Sequence, residues 1–329
     1  MRKFGSFVII FLLLPCVITV LVKGGDVLKW NKNSEEYVKI EDGVTLRWEE
    51  YFIGLLVANI SEDCEPEMLK AQAVVLRTQE AAKMQAGEKL NSAYLTMDDL
   101  KEKWDAKDFK KYMKKYERAI RATKREVLMY EEQIANVPFC KLSNGMTRDA
   151  AQVLGADDEG NSRYPYLVSV DCSADKEADG EMEIQTFSYE EVQKKCQPFL
   201  VAVEPTVTTG TDPVDTDAAG GTDPVVAYSD FEIVSTDSAG YVLEIKILGN
   251  VYSGEQFRQA LNLPSSAFAM QDYKGKLRIT TMGQGHGLGM SQYTANEMAK
   301  GGATYQKILE YFYNGTNLQK NDEIFLKLE

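Results

Sequence analysis

The chain is poor in histidine and cysteine, and no basic stripe is visible in its sequence. Its 329 residues include one histidine and five cysteines, and 37 basic residues face 50 acidic ones, which gives a formal net charge of −13. Nucleic-acid binding needs a basic surface to neutralise phosphates, so nucleic acid is not an expected partner. The usual zinc sites need closely spaced cysteines and histidines, and no Cys-x-x-Cys pair occurs. The sequence therefore predicts no metal and no other cofactor.

The N-terminal segment has the pattern of a membrane anchor. Arg2 and Lys3 precede an apolar run from Phe7 to Val22, and Lys23 follows it. With its neighbours this run approaches the roughly 20 residues that span a bilayer. Because the positive flank comes first, the rest of the chain should be exported. No small-x-small cleavage site follows, which favours an uncleaved anchor in residues 1–25 over a cleaved signal peptide. We expect a single-pass protein of the cell membrane.

Four cysteines fall in the part of the chain that is expected to be exported. They are Cys64, Cys140, Cys172 and Cys196. An even number of cysteines in an exported chain permits two disulfides, with three possible pairings. Buried free thiols are the alternative.

The hydrophobic pattern predicts helices and strands in uneven order, which favours an α+β fold. The Asp-Gly turn at Gly43 predicts a strand hairpin within residues 26–47. Helices are expected at residues 48–58 and, with Pro66 at its first position, 66–84. Thr96 should cap one long amphipathic helix whose lysine- and glutamate-rich outer face is solvated. Its inner stripe should comprise Leu100, Trp104, Phe109, Met113, Tyr116 and Ile120. Further strands are expected in residues 127–137, 231–234, 241–247 and 277–281, and further helices in 291–300 and 303–313.

A low-complexity stretch interrupts the domain. The unit Gly-Thr-Asp-Pro-Val occurs at Gly210–Val214 and again at Gly221–Val225. Such a composition buries too little apolar surface to offset the entropy of ordering the chain. We expect residues 204–227 to be a flexible insertion in a single domain of residues 26–328.

The only histidine lies in the most glycine-rich segment of the chain. Gly283, Gly285, Gly287 and Gly289 alternate with other residues around His286. Glycines at this density let a ligand approach main-chain amides closely. His286 is therefore a candidate for binding a ligand, with shaping of the loop as the alternative.

A helix is expected to begin directly after this glycine loop. The free amides of Ser291, Gln292 and Tyr293 could hold an anionic or polar group of a ligand. Simple N-capping by Ser291 is the alternative.

Several segments resemble, in the same order, the domain shared by stage II sporulation protein D and the amidase enhancer. They are Glu49–Gly54, Pro66–Val74 with Arg77 and Thr78, Phe139–Thr147, Ser253–Leu263, Gly285–Gln292 and Ile308–Thr316. The resemblance covers residues 36–318 apart from the insertion. It implies a membrane-anchored lytic transglycosylase that cuts peptidoglycan glycan strands while the forespore is engulfed. It also implies two partners, an amidase and a multispanning membrane protein, of the stage II sporulation protein P and M types.

The resemblance also places the catalytic acid, and there this chain departs from the family. The family's glutamate lies in a Glu-Met-Pro segment, and an ungapped alignment from Glu50 to Gln72 puts Asn59 at its position. An amide has no proton to release, so it cannot act as a general acid. We therefore expect a protein that binds glycan and cuts it poorly or not at all.

Three alternatives to this degenerate site stay open. Glu62 or Asp63, in the same loop as Asn59, could supply the acid. The local alignment could be shifted. The protein could also be a non-catalytic interaction scaffold for a cell-wall amidase.

The resemblance points to further substrate-binding residues. Arg77 lies on a helix expected to be buried and needs a partner, either a structural carboxylate or a lactyl group of the substrate. Ser143, Gly145 and Thr147 lie in a polar loop like the family's Ser-x-Gly-Gly-x-Thr loop. The family's zinc ligands, a histidine and two cysteines, have no counterpart in residues 89–104, which again predicts no zinc.

Overall fold

The structure is a computed structural model that describes residues 37–40, 43–155, 162–199, 226–322 and 325. Its α-helices are α1 (Trp48–Asn59), α2 (Pro66–Gln85), α3 (Met97–Lys103), α4 (Ala106–Ala122), α5 (Ala150–Leu154), α6 (Tyr189–Cys196), α7 (Gly254–Leu261), α8 (Gln292–Lys300) and α9 (Tyr305–Phe312). Within these residues no helix has the length and apolar character needed to cross a bilayer. The predicted anchor in residues 1–25 lies outside the described residues.

In the described part of the chain the strands form five small sheets. They are β1 (Tyr37–Lys39), β2 (Thr45–Arg47), β3 (Glu126–Tyr130), β4 (Gln133–Ile134), β5 (Phe139–Cys140), β6 (Met182–Phe187), β7 (Phe231–Thr236), β8 (Val242–Ile247), β9 (Asn250–Ser253), β10 (Phe268–Asp272), β11 (Leu277–Met282), β12 (Met290–Ser291) and β13 (Asn317–Lys320). The sheet orders are β1-β2, β13-β3-β4, β10-β11-β6, β7-β8-β9 and the parallel pair β12-β5. This mixture confirms the predicted α+β class.

Helix α2 is the centre of the larger hydrophobic core. It contacts α1, α4, α8, α9 and β3. Pro66 occupies its first turn, where the missing N–H is tolerated, and Glu67 complements the positive end of the helix dipole. Apolar side chains lie on several sides of the helix, from Met68 to Leu76, so it is buried among its neighbours. The prediction of a buried helix from Pro66 is confirmed.

A smaller core lies under the sheets β7-β8-β9 and β10-β11-β6 and the helices α6 and α7. Phe257, Ile245 and Ile279 are buried there. Val226, which the sequence assigns to the end of the flexible insertion, also packs into this core. Val226 is therefore part of the folded core, and residues 204–225 of the predicted insertion lie outside the described residues.

The predicted long helix after Thr96 is two helices. Trp104 has an extended backbone (φ −125°, ψ 142°) that ends α3. Asp105 then caps α4, because its Oδ1 accepts from the amides of Lys107 and Asp108 at 2.8 and 2.9 Å. The single-helix prediction is wrong, because the apolar stripe continues across the break and conceals it. Trp104 is nevertheless buried as expected, while Phe109 is half-buried.

All four cysteines of the described residues are free thiols. The alternative of unpaired thiols therefore holds, and the disulfides do not form. Burial raises the pKa values of the Cys172 and Cys196 thiols to about 12, and raises that of Cys140 further. Cys64 is half-exposed.

We expect iodoacetamide to modify Cys64 well before these other three cysteines, because only exposed thiolate reacts. Mass spectrometry of peptides from the native and the denatured protein measures the order. A protein whose cysteines resist alkylation in denaturant until a reductant is added would contain disulfides.

Candidate functional site

An open cleft of about 700 Å³ lies between the end of α1 and the start of α8. The lining residues come from segments that are far apart in the sequence. They are Val57–Glu62, Cys64, Lys103, Lys141, Leu142, Glu177–Asp179, Gln292, Tyr293 and Asn296. Of the sequence-predicted site residues, the structure brings Asn59, Glu62, Gln292 and Tyr293 together here.

Asn59 is the last residue of α1 and is half-exposed. Its Nδ2 donates to the Leu55 carbonyl of its own helix at 2.8 Å. Its backbone carbonyl accepts from Gln292 Nε2 at 2.8 Å, a contact between residues 233 positions apart. Gln292 Nε2 also donates to Oε1 of the buried Gln72 at 3.1 Å. This hydrogen-bond chain fixes the wall that carries Asn59 against the start of α8.

Glu62 lies near Asn59 but is held as a carboxylate. Its Oε1 accepts from the Trp104 indole N–H at 3.0 Å, and its Oε2 lies 3.8 Å from Lys103 Nζ. Burial alone would raise its pKa. Hydrogen bonds from its own backbone N–H and from Trp104, with the charges of Lys103 and Lys115, outweigh burial and lower the pKa of Glu62. A general acid needs the opposite shift, so Glu62 is poorly suited to donate a proton at neutral pH.

The start of α8 is fixed from behind by a carboxylate. Ser291 caps the helix, since its Oγ accepts from the Thr294 amide at 3.4 Å and donates to Asp175 Oδ1 at 2.8 Å. The N-capping alternative for Ser291 is therefore confirmed. The next two residues, Gln292 and Tyr293, line the cleft. The Tyr293 amide donates to the Lys141 carbonyl at 3.3 Å, which joins two walls.

Asp175 connects three of the cleft walls and was missed by the sequence analysis. Its buried carboxylate accepts from the Ser143 amide at 2.6 Å and from Thr294 N and Oγ1 at 3.1 and 2.7 Å, besides Ser291. It also belongs to the short 3-10 helix Ser173–Glu177, which leads to the wall of Glu177–Asp179. An irregular acidic turn has no periodicity that would mark one of its carboxylates as buried.

His286 shapes the glycine loop and does not line the cleft. Its Nδ1 accepts from the Leu288 amide at 3.1 Å, and burial lowers the pKa of His286, so its ring is neutral at pH 7. Close packing explains why residue 289, near His286, is a glycine. Gly289 has φ +71°, and a Cβ there would lie 1.9 Å from the Pro138 carbonyl oxygen. These contacts support the loop-shaping alternative for His286.

Arg77 serves the core rather than the cleft. It is buried, and its guanidinium donates to Thr123 Oγ1 at 3.3 Å and to the Glu126 carbonyl at 3.2 Å while lying over the Phe52 ring. Burial lowers the pKa of Arg77 to about 10, although Glu126 acts in the opposite direction. Neither a lactyl group nor a paired carboxylate is needed to explain its position.

The polar loop lies behind the cleft wall rather than in it. Ser143 is fully buried, and Thr147 Oγ1 accepts from the Val170 amide at 2.9 Å. Gly145 has φ +82° and leaves room for the side chain of Lys176. The structure thus does not bring Ser143, Gly145 or Thr147 to the cleft surface. Lys141, two residues before Ser143, is exposed and lines the cleft instead.

The segment that carries Asn59 lies in the part of the chain that matches a known family model. The family model described as Stage II sporulation protein matches residues 36–130. Stage II sporulation protein D of Bacillus amyloliquefaciens is 29% identical over 292 residues, which cover 85% of this chain and 76% of that protein. The protein of the same name from Bacillus subtilis (strain 168) gives the same figures. The amidase enhancer of Bacillus subtilis (strain 168) is 49% identical over 43 residues, 13% of this chain and 6% of that protein.

These similarities connect the chain with sporulation proteins. Residues 36–130 match the family model, and most of the chain is similar to stage II sporulation protein D, which confirms the resemblance found in the sequence. Among the described residues, no group of three histidine, cysteine, aspartate or glutamate side chains could hold a metal ion.

Proposed function

We propose that this protein is anchored in the cell membrane, is exported, acts on the cell wall in sporulation and binds peptidoglycan glycan strands in the cleft beside Asn59. Cleavage of the strands is weak or absent. Similarity to stage II sporulation protein D supports the setting, because the names of these relatives connect them with sporulation. The cleft supports the binding role.

The amide of Asn59 is the observation that carries the proposal. It stands where the family resemblance implies a glutamate, and it faces a cleft large enough for a ligand. One N–H is used by the Leu55 carbonyl, while its Oδ1 and second N–H have no partner among the described residues. An amide with a free donor and a free acceptor matches sugar hydroxyl and acetamido groups, but it has no proton to give to a leaving oxygen.

The cleft holds other carboxyl groups, which define the alternative of an active transglycosylase. Glu62 is held ionised by Trp104 and Lys103. Glu177 and Asp179 also line the cleft, and both are exposed. If cleavage occurs, Glu62→Gln, Glu177→Gln and Asp179→Asn each remove one of these carboxyl groups, and the variant that loses cleavage identifies the acid.

Incubation of the purified full-length protein with stem-peptide-free glycan strands tests the proposal. We expect the protein to retain the strands and to release few or no anhydromuramyl ends, which mass spectrometry detects. Gln292→Ala should weaken retention, because Gln292 connects Asn59 to α8. Anhydro ends formed at an ordinary enzymatic rate, about 1–10³ s⁻¹, would establish an active transglycosylase instead.

A second candidate function is a scaffold for a cell-wall amidase. The 43-residue similarity to a protein named amidase enhancer favours it. Stage II sporulation proteins P and M are the partner types to test. A protein that binds no glycan but raises the rate of a purified amidase would support the scaffold role over the binding role.

A further inference from the structure

The solvent side of α4 carries a stripe of positive charge on a protein whose net charge is −13. This basic stripe consists of Lys107, Lys110, Lys111, Lys114, Arg118 and Arg121. All six side chains are exposed. Spacings of three and four residues place them on one face of the helix, along about 21 Å. The sequence analysis found no basic stripe, because apolar residues of the inner face separate these cations in the sequence.

Most of the stripe is not neutralised by the protein itself. Arg121 lies 3.6 Å from Glu49 and 3.8 Å from Glu117. In the described part of the chain, Lys107, Lys110 and Lys114 have no ion-pair partner, and the same holds for Arg118. Like charges at i and i+4 destabilise a helix, as at Lys110 and Lys114. A face that retains this repulsion is well suited to an anionic partner.

The basic stripe lies on the side of the domain where the chain enters from the predicted N-terminal anchor. The ion pair between Arg121 and Glu49 places the end of α4 beside the start of α1, directly after the β1-β2 hairpin. Residues 23–36 separate the predicted anchor's apolar run from β1, and these 14 residues reach at most about 50 Å when fully extended. The domain is therefore tethered within reach of the lipid surface.

We propose that the basic stripe docks the domain onto the anionic lipid headgroups of the membrane that holds the N-terminal anchor. The net charge of −13 means that the chain without this stripe is acidic on balance and is repelled by such a membrane, which favours approach by the stripe. Lys115, on the same helix, donates to the Glu62 carbonyl at 2.6 Å, and Lys103 lines the cleft. Docking therefore holds the cleft beside the membrane. Under the proposed function, on which this step rests, the cleft then meets the glycan strands that lie there.

Energy transfer from tryptophan to a dansyl-labelled lipid tests the docking. The third tryptophan, Trp30, lies beside the predicted anchor and is replaced by phenylalanine in every protein tested. Trp48 begins α1 and Trp104 precedes α4, so these two report the approach of this side of the domain. The full-length protein is placed in nanodiscs of phosphatidylcholine alone or with phosphatidylglycerol. We expect greater transfer with phosphatidylglycerol, lost at about 0.5 M NaCl because salt screens surface charge. Equal transfer in the two lipids would overturn the proposal.

Charge-reversed variants assign the effect to the stripe. The variant Lys107→Glu, Lys110→Glu, Lys114→Glu, Arg118→Glu should show the transfer seen in neutral lipid. Each surface cation contributes about fivefold to affinity for an anionic leaflet. The matching glutamine replacements, which create no new negative charge, should give a smaller loss of the same sign. The matched control reverses the charge of four exposed lysines in the part of the chain that surrounds the smaller core: Lys194, Lys195, Lys274 and Lys276.

The control should retain the full transfer, and equal losses in both variants would show an effect of net charge alone and overturn the proposal. If a soluble polyphosphate binds the stripe while transfer to anionic lipid stays at the neutral level, the partner is a soluble polyanion and the membrane assignment is wrong. Retention of glycan strands is measured separately without lipid. A failure of glycan binding therefore leaves the lipid result unchanged.

Discussion

Replacing Asn59 by glutamate is expected to raise the rate of glycan cleavage by about 10²–10⁴-fold, the usual contribution of a general acid. The position is suited to keeping a carboxyl group protonated. Asn59 ends α1, where the negative end of the helix dipole disfavours a carboxylate. The nearby Glu62 is held ionised, and a like charge raises the pKa of a neighbouring acid. The new carboxyl group would therefore start as the proton donor that the reaction needs.

The matched control is Asn59→Gln, which has the length of glutamate and no proton to release. We expect Asn59→Gln to retain glycan strands and to form no more anhydromuramyl ends than the wild-type protein. Mass spectrometry of the products measures all three proteins. An Asn59→Glu protein that binds strands but cleaves them no faster would show that the local alignment around Asn59 is shifted, or that the cleft lacks another catalytic group.

The sequence predicted those helices and strands whose ends carry a characteristic residue, such as a proline or a glycine turn. Pro66 marks the start of α2, and the Asp-Gly turn marks the β1-β2 hairpin. The break between α3 and α4 was missed, because the capping of α4 by Asp105 competes with an apolar stripe that continues through Trp104. A period of 3.6 residues shows which face is buried, but not where one helix ends and the next begins.

The sequence predicted individual segments of the candidate site, but not how they come together. Alignment within one segment placed Asn59, and the glycine loop pointed to Gln292 and Tyr293. Only the fold shows that Asn59 and Gln292 meet, because 233 residues separate them and no local pattern encodes the contact. The sequence analysis missed the cleft residues Glu177–Asp179, because they belong to a turn without periodicity.

Removal of the Asp175 carboxylate by Asp175→Ala is expected to lower the free energy of unfolding by about 3–5 kcal/mol. The side chain is fully buried, and it accepts from the Ser143 amide, the Ser291 hydroxyl and both donors of Thr294. Each buried donor left without a partner costs about 1–3 kcal/mol, and some of that loss is recovered by relaxation or by water. Urea unfolding followed by circular dichroism measures the change.

The same substitution should also weaken glycan retention, because Asp175 holds the walls of Lys141, Glu177 and Gln292 in their relative positions. Asp171→Ala is the matched control: Asp171 lies four residues earlier and is exposed, so the loss should stay below about 1 kcal/mol with retention unchanged. Asp175→Asn keeps one acceptor oxygen, so its loss of stability and of glycan retention should lie between those of Asp175→Ala and Asp171→Ala. Retention at the wild-type level in a destabilised Asp175→Ala protein would mean that this carboxylate stabilises the fold without setting the geometry of the cleft.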